Sequence, residues 1–233
     1  MYWSLIIHFL YNITFRSSVY IIDQPPRDMR TILIIVAVVF MLPLKAQELQ
    51  IKKTRAGIFS LGARSSLGLV NDGKWQRTAF GTGGQFRIQF SDRVNTEWFA
   101  DHLKADLSDY AWRADTHIGW SVMYYLTKNP EALFKPYILA GHCFEYLKFT
   151  DNINPANFAE RWSASIQAGI GTHFNITRRF DISLATQYML HLGTKITASN
   201  NEGVTSFTKT KGAGIHDHIL LNLSINYKIA DLW

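Results

Sequence analysis

The sequence predicts an all-β fold, an eight-stranded antiparallel up-and-down transmembrane β-barrel that is preceded by a signal peptide. Three observations predict it: segments in which apolar and polar residues alternate, segment lengths above those of globular strands, and connections that alternate between short and long. Strict alternation is typical of a strand with two different faces. The composition agrees, since 14% of residues are aromatic and only 18% are charged, which argues against disorder.

The N-terminal region is predicted to lie outside the barrel. The stretch "MRTILIIVAVVFMLPLKAQ" begins at Met29 with one positive charge, continues as an apolar run and reaches the small residue Ala46. This is the layout of a secretory signal peptide, which we assign to residues 29–46. We interpret residues 1–28 as a mis-assigned N-terminal extension; the alternative is a genuine extension or membrane anchor. The barrel domain is then residues 47–233.

Eight segments follow in which apolar and polar residues alternate, except that the fifth is apolar on both faces and its register stays open. The segments are 58–69, 81–90, 94–103, 113–126, 136–149, 162–176, 180–191 and 218–229. None has a proline in its interior, as sheet pairing requires. Each has about ten residues or more, which a tilted strand needs to cross a bilayer, whereas globular strands have about five or six.

The second segment, "GTGGQFRIQF", shows the two faces clearly. Phe86 and Ile88 lie on an apolar face, and Arg87 lies between two glutamines on the other face. We predict that the apolar row contacts lipid and that Arg87 is enclosed. A buried charge needs a partner of opposite sign, and Glu97 or Asp101 on the next segment is the expected partner.

The connections between segments alternate in length. Residues 91–93 and 177–179 form short turns, and the longest connection is Leu192–Gly214. That stretch is rich in Ser, Thr, Asn, Gly and Lys, so we expect a mobile loop. Short turns on the periplasmic side and longer loops outside are typical of outer-membrane barrels.

With these features, the sequence resembles small bacterial outer-membrane β-barrel proteins of the eight-stranded OmpA/OmpX-like kind, over residues 47–233. The resemblance depends on the signal peptide, the eight alternating segments and the C-terminal "NYKIADLW". It implies that Tyr227, Ile229 and Trp233 form the signal by which the barrel-assembly machinery recognises the last strand. Asp231 interrupts that apolar row, and the family usually ends in Phe. No functional motif of the family is present.

The polar faces of the segments are predicted to line a packed lumen. Eight strands enclose an interior that side chains can fill, and charges buried there must pair. The predicted lumen network is Arg64, Arg87, Glu97, Asp101, Arg113, Asp115 and Lys228. The aromatic residues predicted to face lipid or its interface are Trp98, Trp120, Tyr124, Trp162 and Tyr188.

Two kinds of chemical site have weak candidates. His216 and His218 share a face of the last segment and His191 ends the neighbouring one, so the three are the candidates for a metal site. The other interpretation is polar residues at the rim of a long loop, and we predict no metal and no cofactor. An acyl-transfer enzyme needs a serine nucleophile with a histidine base within hydrogen-bond reach. Ser65 and His102 are the candidates for this serine and histidine. They are weak candidates because they form no compact pair in the sequence.

We therefore predict an integral outer-membrane protein, a monomer with a structural or adhesive role through its outer loops, especially Leu192–Gly214. Its predicted partners are outer-membrane lipid, the barrel-assembly machinery and an unidentified extracellular ligand. The net charge of +6 has no basic run, so nucleic acid is not a predicted partner. Eight strands leave little room for a general pore. The alternatives are an enzyme that modifies outer-membrane lipid, such as a lipid A deacylase or acyltransferase, and a soluble lipocalin-like barrel with its faces reversed.

Overall fold

The computed structural model describes residues 56–71, 76–129 and 132–233, without the side chains of residues 70, 71, 76, 77 and 211–216. The predicted extension (1–28) and signal peptide (29–46) lie outside the described residues. No helix in the described part of the chain is long and apolar enough to cross a membrane.

Eight antiparallel strands follow one another around a closed barrel, in which the first strand also pairs with the last. The strands are β1 Ile58–Asn71, β2 Gln76–Gln89, β3 Val94–Asp106, β4 Ala111–Tyr125, β5 Phe134–Asp151, β6 Phe158–Asn175, β7 Phe180–Asn201 and β8 Val204–Asp231. Within the closed part of the barrel, each strand satisfies its backbone hydrogen bonds on both sides and leaves no free edge. The predicted all-β up-and-down barrel is confirmed.

The barrel wall is polar inside and apolar outside. In β3, buried and exposed residues alternate from Glu97 to Asp106. Large apolar side chains lie exposed on the outer face of every strand, and Ile118 in the middle of β4 is 54% exposed. A soluble barrel would expose its polar face instead, so the alternative of a soluble lipocalin-like barrel is wrong.

Aromatic side chains continue this outer face from strand to strand. Phe86, Trp98 and Trp120 are cross-strand partners on β2, β3 and β4. The ring centroids of Phe86 and Trp98 are 5.9 Å apart, and those of Trp98 and Trp120 are 6.3 Å apart. Tyr146 and Trp162 make a second contact of 5.0 Å near the opposite end of the wall. Such rows suit the interfaces of a bilayer.

The register of β5, which the sequence left open, has odd-numbered residues inside. Tyr137 and Phe149 are buried in the lumen, as is Glu145. Ile138 and Phe144 are exposed on the lipid face. The two faces look alike in sequence because this strand supplies apolar side chains to three separate buried clusters inside the barrel.

The prediction of a mobile loop at Leu192–Gly214 is wrong, because the last two strands continue there as a paired hairpin. The pairing of β6 with β7 ends at Ala164 and Leu192, while β7 and β8 stay paired as far as Asn201 and Val204. Ser, Thr and Asn are common in this hairpin because it extends beyond the part of the barrel wall that contacts lipid. A strand in that position needs no apolar outer face.

The hairpin packs against the other connections at the same end of the barrel and forms with them what we call the outer cap. Its apolar cluster consists of Leu107, Ala111, Leu147, Phe149, Ala159 and Ile196, with Tyr110, Ala198 and Phe207 packed against it. The rings of Phe149 and Phe207 are 6.1 Å apart. Burial of Ile196 and Phe207 anchors the hairpin over the end of the lumen.

Candidate functional site: the barrel lumen and its outer cap

One group of ionic side chains, the inner network, occupies the half of the lumen nearest the start of β1 and the end of β8. Its members are Arg64, Arg87, Glu97, Asp101, Asp181 and Lys228, which are all buried. Arg64 lies 3.2 Å from Glu97 and 3.0 Å from Asp101. The three cations and three carboxylates balance one another, which offsets the cost of taking charges out of water.

Arg87 is the central cation of the inner network. Its Nε donates to Glu97 Oε2 at 2.9 Å, and one terminal nitrogen donates to Asp181 Oδ1 at 3.0 Å. The other terminal nitrogen donates to the hydroxyl of Ser224 at 3.3 Å. Asp101 pairs with Arg64 instead. Asp181 was not among the predicted lumen residues, although its position in the alternation of its segment was sufficient to find it.

A second group, the outer network, lies in the half of the lumen nearest the outer cap and contains Arg113, Asp115, Glu145 and Arg161. Arg113 Nε donates to Asp115 at 2.8 Å. Glu145 accepts from Arg161 at 2.9 Å and from the hydroxyl of Ser163 at 2.8 Å. Two cations again meet two carboxylates. Glu145 and Arg161 were missed, the first because the register of β5 was open and the second because β6 begins before its predicted start.

Between the inner network and the end of the barrel where β1 begins, aromatic and polar side chains fill the lumen. Tyr125 contacts Tyr137 and His173, and its hydroxyl lies 3.1 Å from His173 Nδ1. Lys135 Nζ lies 4.0 Å from the centre of the Tyr125 ring. A cavity of about 10 Å³ remains beside Arg87, which is room for about one water molecule. Side chains therefore occupy most of the lumen at this level.

The structure brings two of the three predicted metal candidates together, with a different third histidine. His191 and His218 lie inside the lumen with ring centroids 4.5 Å apart. His117 on β4 completes the cluster, 5.3 Å from His218 and 6.1 Å from His191. His216 pairs with His191 in the sheet, but its side chain lies outside the described part of the structure. His117 was missed because strands on opposite sides of a barrel are not neighbours in sequence.

The candidate residues of an acyl-transfer enzyme do not meet. Ser65 and His102 both pair with Thr82, from the strands on either side of it, so an intervening strand separates them. Ser65 donates to the carbonyl of Gly81, and His102 Nδ1 lies 2.9 Å from the hydroxyl of Thr116. The two side chains therefore form no nucleophile and base pair.

The residues predicted to act in assembly lie at the end of the barrel where β1 begins and β8 ends. Tyr227 and Ile229 are half-buried on β8, and Trp233 is exposed just after it. The ring of Trp233 lies 6.2 Å from that of Phe90, in the neighbouring turn. The lone Cys143 is buried in the lumen and packs as a small apolar residue.

Hydrogen bonds join the connections of the outer cap to one another. Asn152 donates to the carbonyls of Asp109 and Tyr110, at 2.8 and 3.0 Å. The side chain of Asn157 donates to the backbone carbonyl of Thr205 at 3.0 Å. The hydroxyl of Tyr110 donates to the backbone carbonyl of Ala198 at 3.4 Å. Bonds from three separate connections meet here, so the cap is ordered as one surface.

Within the cap, the carboxylate of Asp151 organises the turn that follows β5. It accepts from the backbone N–H of Ile153 at 2.8 Å, from that of Asn154 at 3.3 Å and from the side chain of Asn157 at 3.0 Å. These donors, the Ile153 N–H first, lower the pKa of Asp151 below its ordinary value.

No protein-family model and no curated protein sequence matches this chain. In structure the barrel is similar to Neisserial surface protein A, with a TM-score of 0.55 and 13% identity over 73% of this chain and 96% of that one. It also aligns with Ail, the attachment invasion locus protein of Yersinia pestis, with a TM-score of 0.47 and 14% identity over 74% and 98% of the two chains. The N-terminal β-barrel domain of Pseudomonas aeruginosa OprF aligns with a TM-score of 0.44 and 12% identity, over 72% of this chain and 96% of that one.

The likeness to Neisserial surface protein A shows a shared fold, that of a small closed β-barrel. An apolar exterior around a closed, polar-lined sheet is stable in hydrocarbon, so the barrel has the build of one that spans a lipid bilayer. One chain closes the barrel by itself, so the barrel needs no strand from a second chain.

Proposed function

We propose that the protein is a non-enzymatic surface protein of the outer membrane that binds an extracellular partner through its outer cap and conducts no general solute flow. The barrel-assembly machinery and outer-membrane lipid are its proposed partners during and after insertion. The observation that carries this proposal is the outer cap itself, in which three connections are joined by hydrogen bonds and a shared apolar cluster.

An ordered cap favours recognition because little conformational freedom is lost when a preorganised surface binds. Its turns also expose apolar side chains where the barrel faces the outside. Ile153 in the β5–β6 turn is 80% exposed, and Val204 at the tip of the hairpin is 69% exposed. Exposed apolar residues rimmed by polar ones favour contact with another molecule.

The filled lumen supports the absence of a general pore. The outer cap cluster lies across one end, the two ionic networks occupy the middle, and the layer around Tyr125 fills the other end. A solute would have to displace several buried side chains at once, which close packing opposes.

Attachment by living cells tests the surface role. The protein is expressed in a laboratory Gram-negative strain, and attachment to cultured epithelial cells and to immobilised matrix proteins is compared with that of the empty strain. We expect expression to raise attachment and the double variant Ile153→Ser, Val204→Ser to abolish the gain. The matched control is Leu126→Ser, Leu133→Ser, which changes two exposed leucines in the connection at the opposite end of the barrel.

Heat-modifiable mobility on gels confirms that each variant is folded in the membrane. Equal attachment by the wild type and the empty strain, or by the two double variants, would contradict the surface role. Planar-bilayer conductance is measured on the same purified protein. Stable channel openings of porin size would contradict a closed lumen.

A further inference from the structure

We propose that His117, His191 and His218 form a binding site for one divalent transition-metal ion of the zinc class inside the barrel lumen. The three residues come from β4, β7 and β8, and their alternation in these strands turns all three side chains inward. They are 1%, 0% and 4% exposed. One nitrogen of each ring can be chosen so that the three atoms lie within 4.8 Å of one another.

This spacing is close to what a tetrahedral ion requires. Zinc–nitrogen bonds of about 2.0–2.1 Å place two ligand nitrogens about 3.3 Å apart. The imidazoles therefore need to approach one another by up to about 1.5 Å, which side-chain rotation can supply. Three histidines leave one position of the tetrahedron for water.

The strongest support for a metal site is that buried ring nitrogens of these histidines lack hydrogen-bond partners. Nδ1 of His117, Nε2 of His191 and Nε2 of His218 are buried and make no hydrogen bond. Buried polar atoms are nearly always bonded, because leaving one without a partner costs free energy. Several such atoms facing one small volume are explained by an ion that binds them together.

Glu145 supplies a carboxylate beside two of the rings. Its oxygens lie 3.7 Å from Nε2 of His117 and 3.2 Å from Nδ1 of His191, within ion-pair distance although not in hydrogen-bond geometry. A carboxylate behind a ligating histidine fixes the orientation of the ring and raises its basicity. Glu145 is already engaged by Arg161 and Ser163, so we assign it to this supporting role and not to the fourth ligand position.

The ligand set restricts the class of ion. Imidazole nitrogen suits zinc, copper and nickel, whereas magnesium and calcium require oxygen ligands. Arg113 and Arg161 balance Asp115 and Glu145 in the outer network. No spare negative charge is thus left for the ion, and neutral ligands have to hold it by coordination, which favours the zinc and copper end of the series.

The outer cap and the inner network lie on either side of the histidines, so the ion is expected to enter while the barrel folds. The test uses the mature barrel without a polyhistidine tag, unfolded with a chelator, freed of it, and refolded in detergent with a slight excess of zinc. Gel filtration removes unbound zinc, and mass spectrometry of the eluted metal measures zinc per chain. We expect about one ion per folded chain and a melting temperature above that of the metal-free barrel.

His117→Gln and His218→Gln are each expected to lower bound zinc to the background. The matched control is His173→Gln, which changes another buried histidine of the lumen, bonded to Tyr125. It is expected to keep the full amount of zinc. Refolding with cobalt gives a second measurement on the wild type alone, since a site of three nitrogens and water produces the intense visible absorption of tetrahedral cobalt.

A folded wild-type barrel that carries no zinc overturns the proposal, as does zinc binding that survives in both folded variants. Should the variants fail to fold, the cobalt spectrum decides. Intense tetrahedral bands without a thiolate transition support the three histidines. Weak octahedral bands, or a transition that involves Cys143, overturn them.

Discussion

Replacement of Arg87 by methionine is the most direct test of the ionic lumen. Arg87 is 1% exposed and contacts Glu97 and Asp181 at 2.9 and 3.0 Å. Methionine keeps most of the side-chain length but removes the charge, so the inner network would hold two cations against three carboxylates. Glu97 keeps Arg64 at 3.2 Å, whereas Asp181 keeps the more distant Lys228, at 3.8 Å.

The expected loss in unfolding free energy follows from these contacts. Two charge-assisted hydrogen bonds of about 1.5–3 kcal/mol each are lost, and removal of one partner from a buried ion pair costs about 3–5 kcal/mol. The two figures agree, so we expect Arg87→Met to destabilise the barrel by about 3–5 kcal/mol. The double variant Arg87→Met, Asp181→Asn restores the charge balance and should recover about 1 kcal/mol or more of that loss.

Equilibrium urea unfolding of the barrel in phospholipid vesicles, followed by tryptophan fluorescence, measures these changes. The control is Arg178→Met, the same substitution at an exposed arginine in the β6–β7 turn, which is expected to change stability by less than about 0.5 kcal/mol. A loss below about 1 kcal/mol for Arg87→Met would refute the reasoning, because it would mean that water reaches these charges.

The remaining predictions concern the wall and the cap. Ile118→Arg, at the middle of β4, should cost about 2–4 kcal/mol in the same unfolding assay, whereas Ile88→Arg, one residue from the end of β2, should cost about 0–1 kcal/mol. Equal costs would contradict the assigned depth. Ile196→Ala should loosen the hairpin by about 2 kcal/mol or more, seen as faster amide exchange there with the barrel strands unchanged. The lowered pKa of Asp151 stabilises its turn above the ordinary carboxyl value of about 3.9, and this contribution is lost as the pH falls through the folded-state pKa. Exchange of the Ile153 amide should therefore accelerate in acid relative to the Asp151→Asn variant, and a parallel pH dependence in both would contradict the assignment.

The wall of the barrel is predictable from the sequence because alternation is a local property. Each residue of a strand faces either the lipid or the lumen according to its parity, so Arg87 and Ile118 could be assigned without knowledge of any partner. The ends of the strands were harder to place. Arg161 lies in β6, which begins at Phe158, before the alternation becomes clear in sequence. Beyond the bilayer, both faces of a strand contact polar surroundings, and the apolar signal that marks a strand disappears.

Contacts across the lumen depend on the stagger between strands, which cannot be inferred from the alternation of apolar and polar residues. Arg87 on β2 reaches Asp181 on β7, and the three histidines come from β4, β7 and β8. Strand tilt and shear decide which inward residues share a level of the barrel, and a change of shear would bring different residues together. Each buried side-chain charge must still meet a partner, because an unpaired charge in a packed lumen is expensive. The inner network pairs three cations with three carboxylates, and the outer network pairs two with two. Charge balance is therefore a property of a whole level of the lumen, and it restricts the shears that this sequence can adopt even where no adjacent pair predicts the contact.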